Sequence, residues 1–230
     1  MRCLHILPMN KLSGAEKMAL LICRNMNEYT PIVVCGGKDL KRIFEKEGIK
    51  SYSLSFVNKD KISMLIGLKN IIKENDIKIL HAHDNNASLN AYLVKKLYRL
   101  DVKVVSHIHS CYPFLKQNGI NKKVDSFLRH RYDFNIVCGN LVNDFYISNT
   151  TYYRKSNYQI LSNAIDIKEI NNVSEDKVSK LRNKYNIPKD KIVLGFIGRI
   201  CEIKGIIPFI KEFAKRKDEF KYHHCAVCVV

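Results

Sequence analysis

The chain has 230 residues, 46% of them hydrophobic, and its 39 Lys and Arg against 22 Asp and Glu leave a formal charge of +17. That apolar content excludes a disordered chain, and so basic a surface implies an anionic partner: nucleic acid, anionic lipid or a phosphorylated small molecule. The longest apolar runs, residues 18–23 and 226–230, fall far short of the ~18 residues a membrane-spanning helix needs.

From the N-terminus, short β-branched runs alternate with segments of helical period, the pattern of an α/β fold with helices on both faces of a parallel sheet. Strands are predicted at residues 3–7, 32–35, 51–54, 78–82, 103–107, 135–138 and 158–161, all short and largely apolar, as buried parallel strands should be. The first predicted helix carries Ala15, Met18, Ala19, Ile22 and Met26 along one stripe. Helices over 61–75 and 88–100 repeat the pattern, the second with Leu89, Tyr92, Leu93, Leu97 and Leu100 inward and Lys95, Lys96 and Arg99 outward. After residue 161 the composition turns polar, with one amphipathic stretch around Val178, Leu181 and Tyr185, and reads as an interdomain linker with a short helix. A strand at 192–197 then opens a second α/β unit, which a single strand and helix cannot close. The predicted divisions are 1–165, 166–190 and 191–230.

Four places could carry chemistry. Ser13-Gly14 precedes the first helix: a glycine there lets backbone approach a ligand and helical N–H groups attract phosphate, although it equally suits a plain tight turn. Neither G-x-G-x-x-G nor G-x-x-x-x-G-K-[ST] occurs, so dinucleotide and P-loop readings lack their residues. His81-Ala82-His83-Asp84 ends the fourth strand and His107-Ile108-His109-Ser110 the fifth, at the carboxyl edge where parallel sheets collect ligands. These four imidazoles superficially resemble a metal site, but only Asp84 adds a carboxylate, and His81 and His107 read as hydrogen-bonded structural groups. The terminal HHCAVC has C-x-x-C spacing with no second pair to complete a zinc site. In GFIGRICEIKG, Gly198 is followed by Arg199 and Lys204 at the foot of a helix, a guanidinium fork and a compact ammonium suited to a diphosphate; the alternative is a solvated turn with surface cations. Cys3, Cys35, Cys138 and Cys201 lie in or beside apolar runs and read as reduced thiols without structural disulfides. With no apolar leader at the N-terminus, the expected address is cytoplasmic.

Taken in order, SGAEKMALLI, KILHAHDNNASLNAYL, VVSHIHSCYPF, LSNAIDIKEI and GRICEIKG resemble the motifs of the retaining, GT-B-type glycosyltransferases of family 4, over roughly residues 2–215. Ser13 stands for the first Gly of the family's G-G-A-E, Ala164 for the Gly of N-G-[IV]-D, and GRICEIKG matches G-R-x-x-x-x-K-G. The resemblance implies a Rossmann-like, doubly wound acceptor-side domain followed by an incomplete second one that binds a nucleoside-diphosphate sugar. It implies Gly14 against the donor phosphates, Arg199 and Lys204 on the diphosphate, His109 as the catalytic-site residue near the transferred sugar, and His83 and Asp84 in the acceptor-side cleft. It further implies transfer with retention, a glycan or lipid-linked acceptor of cell-surface polysaccharide synthesis, and no metal or other cofactor, because Arg and Lys stabilise the departing diphosphate. A nucleic-acid partner is favoured only by charge and is not expected, since the basic residues are spread along helices and no DNA- or RNA-reading motif occurs. Family members continue through an E-x7-E pair, whereas the residues after 215 no longer follow the pattern. The expectation is therefore a truncated, weak or inactive transferase; the alternative is a non-catalytic module that binds membrane or a partner. An anionic membrane surface is a further expected partner, through residues 121–132, where Val124, Phe127 and Leu128 are flanked by Lys122, Lys123, Arg129 and Arg131; the alternative is an ordinary surface helix.

Overall fold

The computed structural model of the chain describes residues 1–190, 193–196, 200, 202–216 and 226–229. Contacts divide it into two units, Met1–Ile165 and Asp166–Val230. The first is built on β1 (Arg2–Leu7), β2 (Thr30–Cys35), β3 (Lys50–Ser53), β4 (Ile77–His83), β5 (Lys103–Ile108), β6 (Phe134–Val137) and β7 (Tyr158–Ile160). They form one parallel sheet in the order β3-β2-β1-β4-β5-β6-β7. All seven predicted strands are present, with ends shifted by no more than two residues. The chain runs outward from β1 to β3 and returns to β1's other side at β4, which puts the topological switch point between β1 and β4.

Strand alternation sorts the core into faces. Leu4, Ile6, Leu80, Ala82 and Val104 pack on α3 (Lys61–Glu74) and α4 (Asp84–Leu97), whereas Leu7, Val33 and Cys35 pack on α1 (Gly14–Asn25) and α2 (Lys38–Lys46). A third cluster, including Ile108, Val137, Val142 and Tyr146, lies by α6 (Asn140–Asn149), which follows α5 (Ile120–Arg129) in the chain.

Two predicted helix faces are corrected. In α1 the buried residues are Glu16, Met18, Ala19, Leu20 and Cys23, with Ile22 and Met26 only half-buried. In α4 the buried face is Ala87, Ser88, Asn90, Ala91 and Val94; Leu89, Tyr92 and Leu93 pack from its flank, and Leu97 is 62% exposed. A helix lying directly on a sheet approaches most closely through small side chains, so volume overrides hydrophobicity at that contact. Arg129, expected on a membrane-facing rim, is wholly buried.

The loop leaving β1 is held by close backbone approach. A Cβ on Gly36 would stand 1.8 Å from the Pro8 carbonyl oxygen, and the Gly36 N–H donates to the carbonyls of Leu7 (2.8 Å) and Met9 (2.9 Å). Asn10 Nδ2 donates to Asp39 Oδ2 at 2.9 Å and its Oδ1 accepts the Asp39 N–H at 3.0 Å, completing the clasp that leads the chain toward Gly14.

The second unit contains α7 (Ile167–Asn171), α8 (Glu175–Lys184), β8 (Val193–Phe196), α9 (Ile206–Lys215) and β9 (Ala226–Val229). β8 pairs in parallel with β9, with α9 between them in the chain. The stretch expected to be amphipathic buries nothing: α8 has no buried residue, and Val178, Leu181 and Tyr185 are exposed. Among the described residues, no helix is long and apolar enough to cross a membrane.

Candidate functional site

The carboxyl ends of β1, β4 and β5 gather the polar side chains of the first unit. Parallel register sets His5 opposite His81 and His83 opposite His107, and strand alternation aims these rings and His109 to the α1 side of the sheet. His5 Nδ1 lies 3.1 Å from His83 Nε2, and His83 Nδ1 lies 2.9 Å from His109 Nε2. Beside this row, His81 Nε2 meets His107 Nδ1 at 3.2 Å, the hydrogen-bonded structural role expected for that pair. The rings stack, His107 on His109 at 3.9 Å between centroids and His81 on His83 at 4.5 Å.

Burial governs their charge. It pushes His5 down to about 4, and burial with the neighbouring imidazoles pushes His107 down to about 2. His81 and His83 are held well below the usual imidazole range by burial first and then by the surrounding rings. The rings are therefore neutral at pH 7, each with one N–H and one lone pair. Along His5–His83–His109, placing the proton on any one ring fixes it on the other two.

His109 is half-buried at the end of the row; burial lowers its pKa, while the carboxylates of Asp84 and Glu16 oppose that fall. The start of α1 and the end of β5 thus act on one another electrostatically. Asp84 opens α4 at φ 70°, a left-handed conformation costly for a residue with a Cβ. Its Oδ1 accepts hydrogen bonds from the Tyr112 hydroxyl and, at 3.4 Å, from the His109 N–H, so it anchors the loop after β5. Burial, reinforced by the Asp84 charge, pushes the Tyr112 phenol far up. At α1, both the N–H and the hydroxyl of Ser13 donate to Glu16 Oε2, the N–H at 3.1 Å. Gly14 has no positive φ, and a Cβ there would meet nothing within 4 Å. The fold does not require glycine at 14; the open space at the helix start is what an anionic ligand would use.

Of the residues singled out in the sequence, His83, Asp84 and His109 are brought together by hydrogen bonds, and Gly14 opens the helix that carries Glu16. His83 is 2% exposed with both ring nitrogens engaged, by His5 and by half-buried His109, so it does not itself line an open cleft. Lys204 lies in the second unit, just before Gly205 at the start of α9. Gly198 and Arg199 lie outside the described residues. Sequence reasoning missed His5 and Tyr112. The alternation Cys3-x-His5-x-Leu7 on the first strand was the available signal for His5, and nothing local marked Tyr112. A groove of about 600 Å³ between the start of α5 and the end of α6 contains none of these residues.

The sequence pattern of Glycosyltransferase Family 4 matches residues 12–169, from the approach to α1 through every strand of the seven-stranded sheet except β1. The chain belongs to glycosyltransferase family 4. The matched span includes Gly14, His83, Asp84 and His109, whereas Arg199 and Lys204 fall beyond it. No curated protein matches the chain. Among solved structures, it is similar to Anabaena HepE in complex with UDP and glucose (TM-score 0.80, 17% identity, covering 100% of this chain and 60% of that one). It is also similar to a glycosyltransferase from Rickettsia africae (TM-score 0.76, 18% identity, 98% and 59%). A UDP-GlcNAc 2-epimerase from Neisseria meningitidis bound to UDP-GlcNAc shares the fold more distantly (TM-score 0.61, 14% identity, 99% and 65%). The family 4 chain thus spans about 60% of the length of these solved proteins, and its fold is the Rossmann-like α/β architecture of the GT-B group.

Proposed function

We propose that the chain supplies the acceptor-side unit, and the opening of the donor-side unit, of a glycosyltransferase. It moves a sugar from a nucleoside-diphosphate sugar to a cell-surface glycan or lipid-linked acceptor, with retention at the anomeric carbon. The observation that carries this reading is the family 4 match over the very residues that place Gly14, Asp84 and His109 at the sheet's carboxyl edge. The UDP and glucose of the Anabaena structure support a nucleotide sugar as donor. In this reading His109 faces the transferred sugar, and His83 and His5 set which of its nitrogens carries the proton. Gly14 admits the donor phosphates, and Arg199 and Lys204 neutralise the departing diphosphate without a metal. The 230 residues by themselves bind nucleotide weakly. Calorimetry with UDP is expected to show weak binding that Arg199→Glu or Lys204→Glu abolishes and His109→Ala leaves nearly intact. Undiminished binding by Arg199→Glu would remove the clamp from the proposal.

The same proposal places the acceptor side at an anionic membrane. Ile120, Val124 and Phe127 are exposed along α5, next to Lys122, Lys123 and Arg131, while Leu128 and Arg129 face the core. Vesicle co-sedimentation should show salt-sensitive binding to anionic lipid, reduced by Lys122→Glu with Lys123→Glu; equal binding to neutral vesicles counts against it.

A further inference from the structure

Away from His109, toward the N-terminal half of β1, lies a second cluster that shares only His5 with the histidine row. Cys3 and His5 project from the same side of β1, and His81 projects beside them from β4. One donor atom from each of these three buried residues lies within 4.8 Å of the other two. His5 Nε2 stands 3.8 Å from Cys3 Sγ and 3.3 Å from Met26 Sδ, at the end of α1. Thiol and thioether are weak hydrogen-bond partners, so the outer nitrogen of His5 is buried with only soft sulfur neighbours. A metal held at ~2.0–2.3 Å from nitrogen and sulfur sets adjacent donors roughly 3.3–3.8 Å apart. Both distances at His5 already lie in that range, and a donor atom of His81 lies within 4.8 Å of both Cys3 and His5.

We propose that Cys3, His5 and His81, with Met26 as a weaker fourth donor, form a buried site for a soft monovalent cation, Cu(I). The donor set is soft, as thiolate and thioether ligands select copper(I) over harder ions. Charge selects the oxidation state: binding releases one thiol proton, and a single thiolate neutralises a monovalent ion, whereas a divalent ion would leave a net positive charge in a buried site. The all-imidazole group of His81, His83 and His107 offers no such anion. Of the four donors only Met26 is half-buried; Cys3, His5 and His81 are buried.

The site also reports on the histidine row. Copper on His5 Nε2 keeps the His5 proton on Nδ1, which then donates to His83 Nε2; His83 Nδ1 donates to His109 Nε2, and His109 carries its proton on Nδ1. This holds whether or not the chain transfers sugar.

The test is anaerobic titration of the full chain with Cu(I) against a chromophoric copper(I) chelator. One copper retained per chain, with release of one proton, is expected. Cys3→Ser should weaken retention at least ~100-fold and Met26→Ile less, while the half-buried pair Cys111→Ser with Cys138→Ser and the terminal pair Cys225→Ser with Cys228→Ser should change little. Circular dichroism of each copper-free variant separates lost binding from lost fold, and His81→Asn provides a second ligand change if Cys3→Ser unfolds. Imidazole 15N spectra should show copper moving the His5 signals and fixing one protonation pattern along His83 and His109. Retention unaffected by Cys3→Ser and His81→Asn, retention lost with the terminal pair, or zinc held more tightly than Cu(I) would overturn the proposal.

Discussion

Replacing Asp125 with alanine is expected to destabilise the first unit by about 3–5 kcal/mol, because it strands a buried guanidinium. Arg129 is fully buried and pairs with Asp125 one helical turn away in α5. Its Nη1 donates to Ser106 Oγ (3.1 Å) and Asn135 Oδ1 (3.1 Å) and its Nη2 also to Asn85 Oδ1 (2.9 Å) and the Tyr146 hydroxyl (3.2 Å), joining α4, α5, α6, β5 and β6, while the buried Nε–H has no partner among the described residues. Tyr146 and Tyr132 flank the guanidinium at 5.2 and 5.6 Å, and Asp125 also accepts from the Tyr152 hydroxyl at 2.7 Å. Neutral acceptors can orient Arg129 but cannot balance its charge. At ~2–4 °C per kcal/mol for a domain of this size, the thermal midpoint should fall by roughly 6–20 °C. Converting both partners, Asp125→Leu with Arg129→Met, should cost less than Asp125→Ala alone, since no charge is then buried. A midpoint for Asp125→Ala within ~2 °C of the parent would contradict the network's role.

Acid should unfold the metal-free chain well above the range where carboxylates titrate. His5 is held at about 4 by burial, whereas an unfolded histidine takes its proton near ~6.5. Between those values the unfolded state binds more protons than the folded one, so stability is complete above about pH 7, falls as pH drops through 6.5, and levels off only below about 4. The 2.5-unit gap corresponds to about 3 kcal/mol from His5 alone, and His81, His83 and His107 shift in the same direction. Asp133, where burial is outweighed by hydrogen bonds from Lys95, Lys103 and the Val104 N–H, sits below the usual carboxylate range and titrates only further down. Urea denaturation at pH 7.5 and 5.0 should show a loss of several kcal/mol, a large share of the ~5–15 kcal/mol typical of a domain. His5→Gln should reduce that loss. Unchanged stability across this window would mean that the imidazoles accept protons in the folded state.

The seven strands were legible because parallel strands buried on both faces read as short apolar runs, as 32–35 and 78–82 do. The carboxyl-edge histidines were legible for a related reason: H-x-H alternation on a strand places both rings on one face. The α4 face was misread because Leu89 and Leu93 outrank Ala87, Ser88 and Ala91 in hydrophobicity, while the sheet contact selects for small volume. Arg129 was misread because a lone arginine is normally exposed, and Asn85, Ser106, Asn135 and Tyr146 converge on it only in three dimensions. Asp125, four residues earlier, was its visible local signal. His5 escaped notice because its partner His83 is 78 residues away, across a pairing that the sequence does not announce. α2 and α6 were not predicted; in α2 the buried stripe is only Leu40 and Phe44, too sparse to stand out.

The central claim is that the carboxyl edge of the first unit, organised around His109, is the acceptor-side half of a sugar-transfer site. The direct measurement is UDP release from UDP-glucose by two proteins: residues 1–230 alone, and residues 1–165 fused to the part of Anabaena HepE that lies beyond its match to those residues. Background rates for the chain alone are expected, with measurable turnover by the fusion that drops at least ~100-fold in His109→Ala while UDP binding persists. Equal turnover by the chain alone, or a fusion that binds UDP and turns over regardless of His109, would contradict the account.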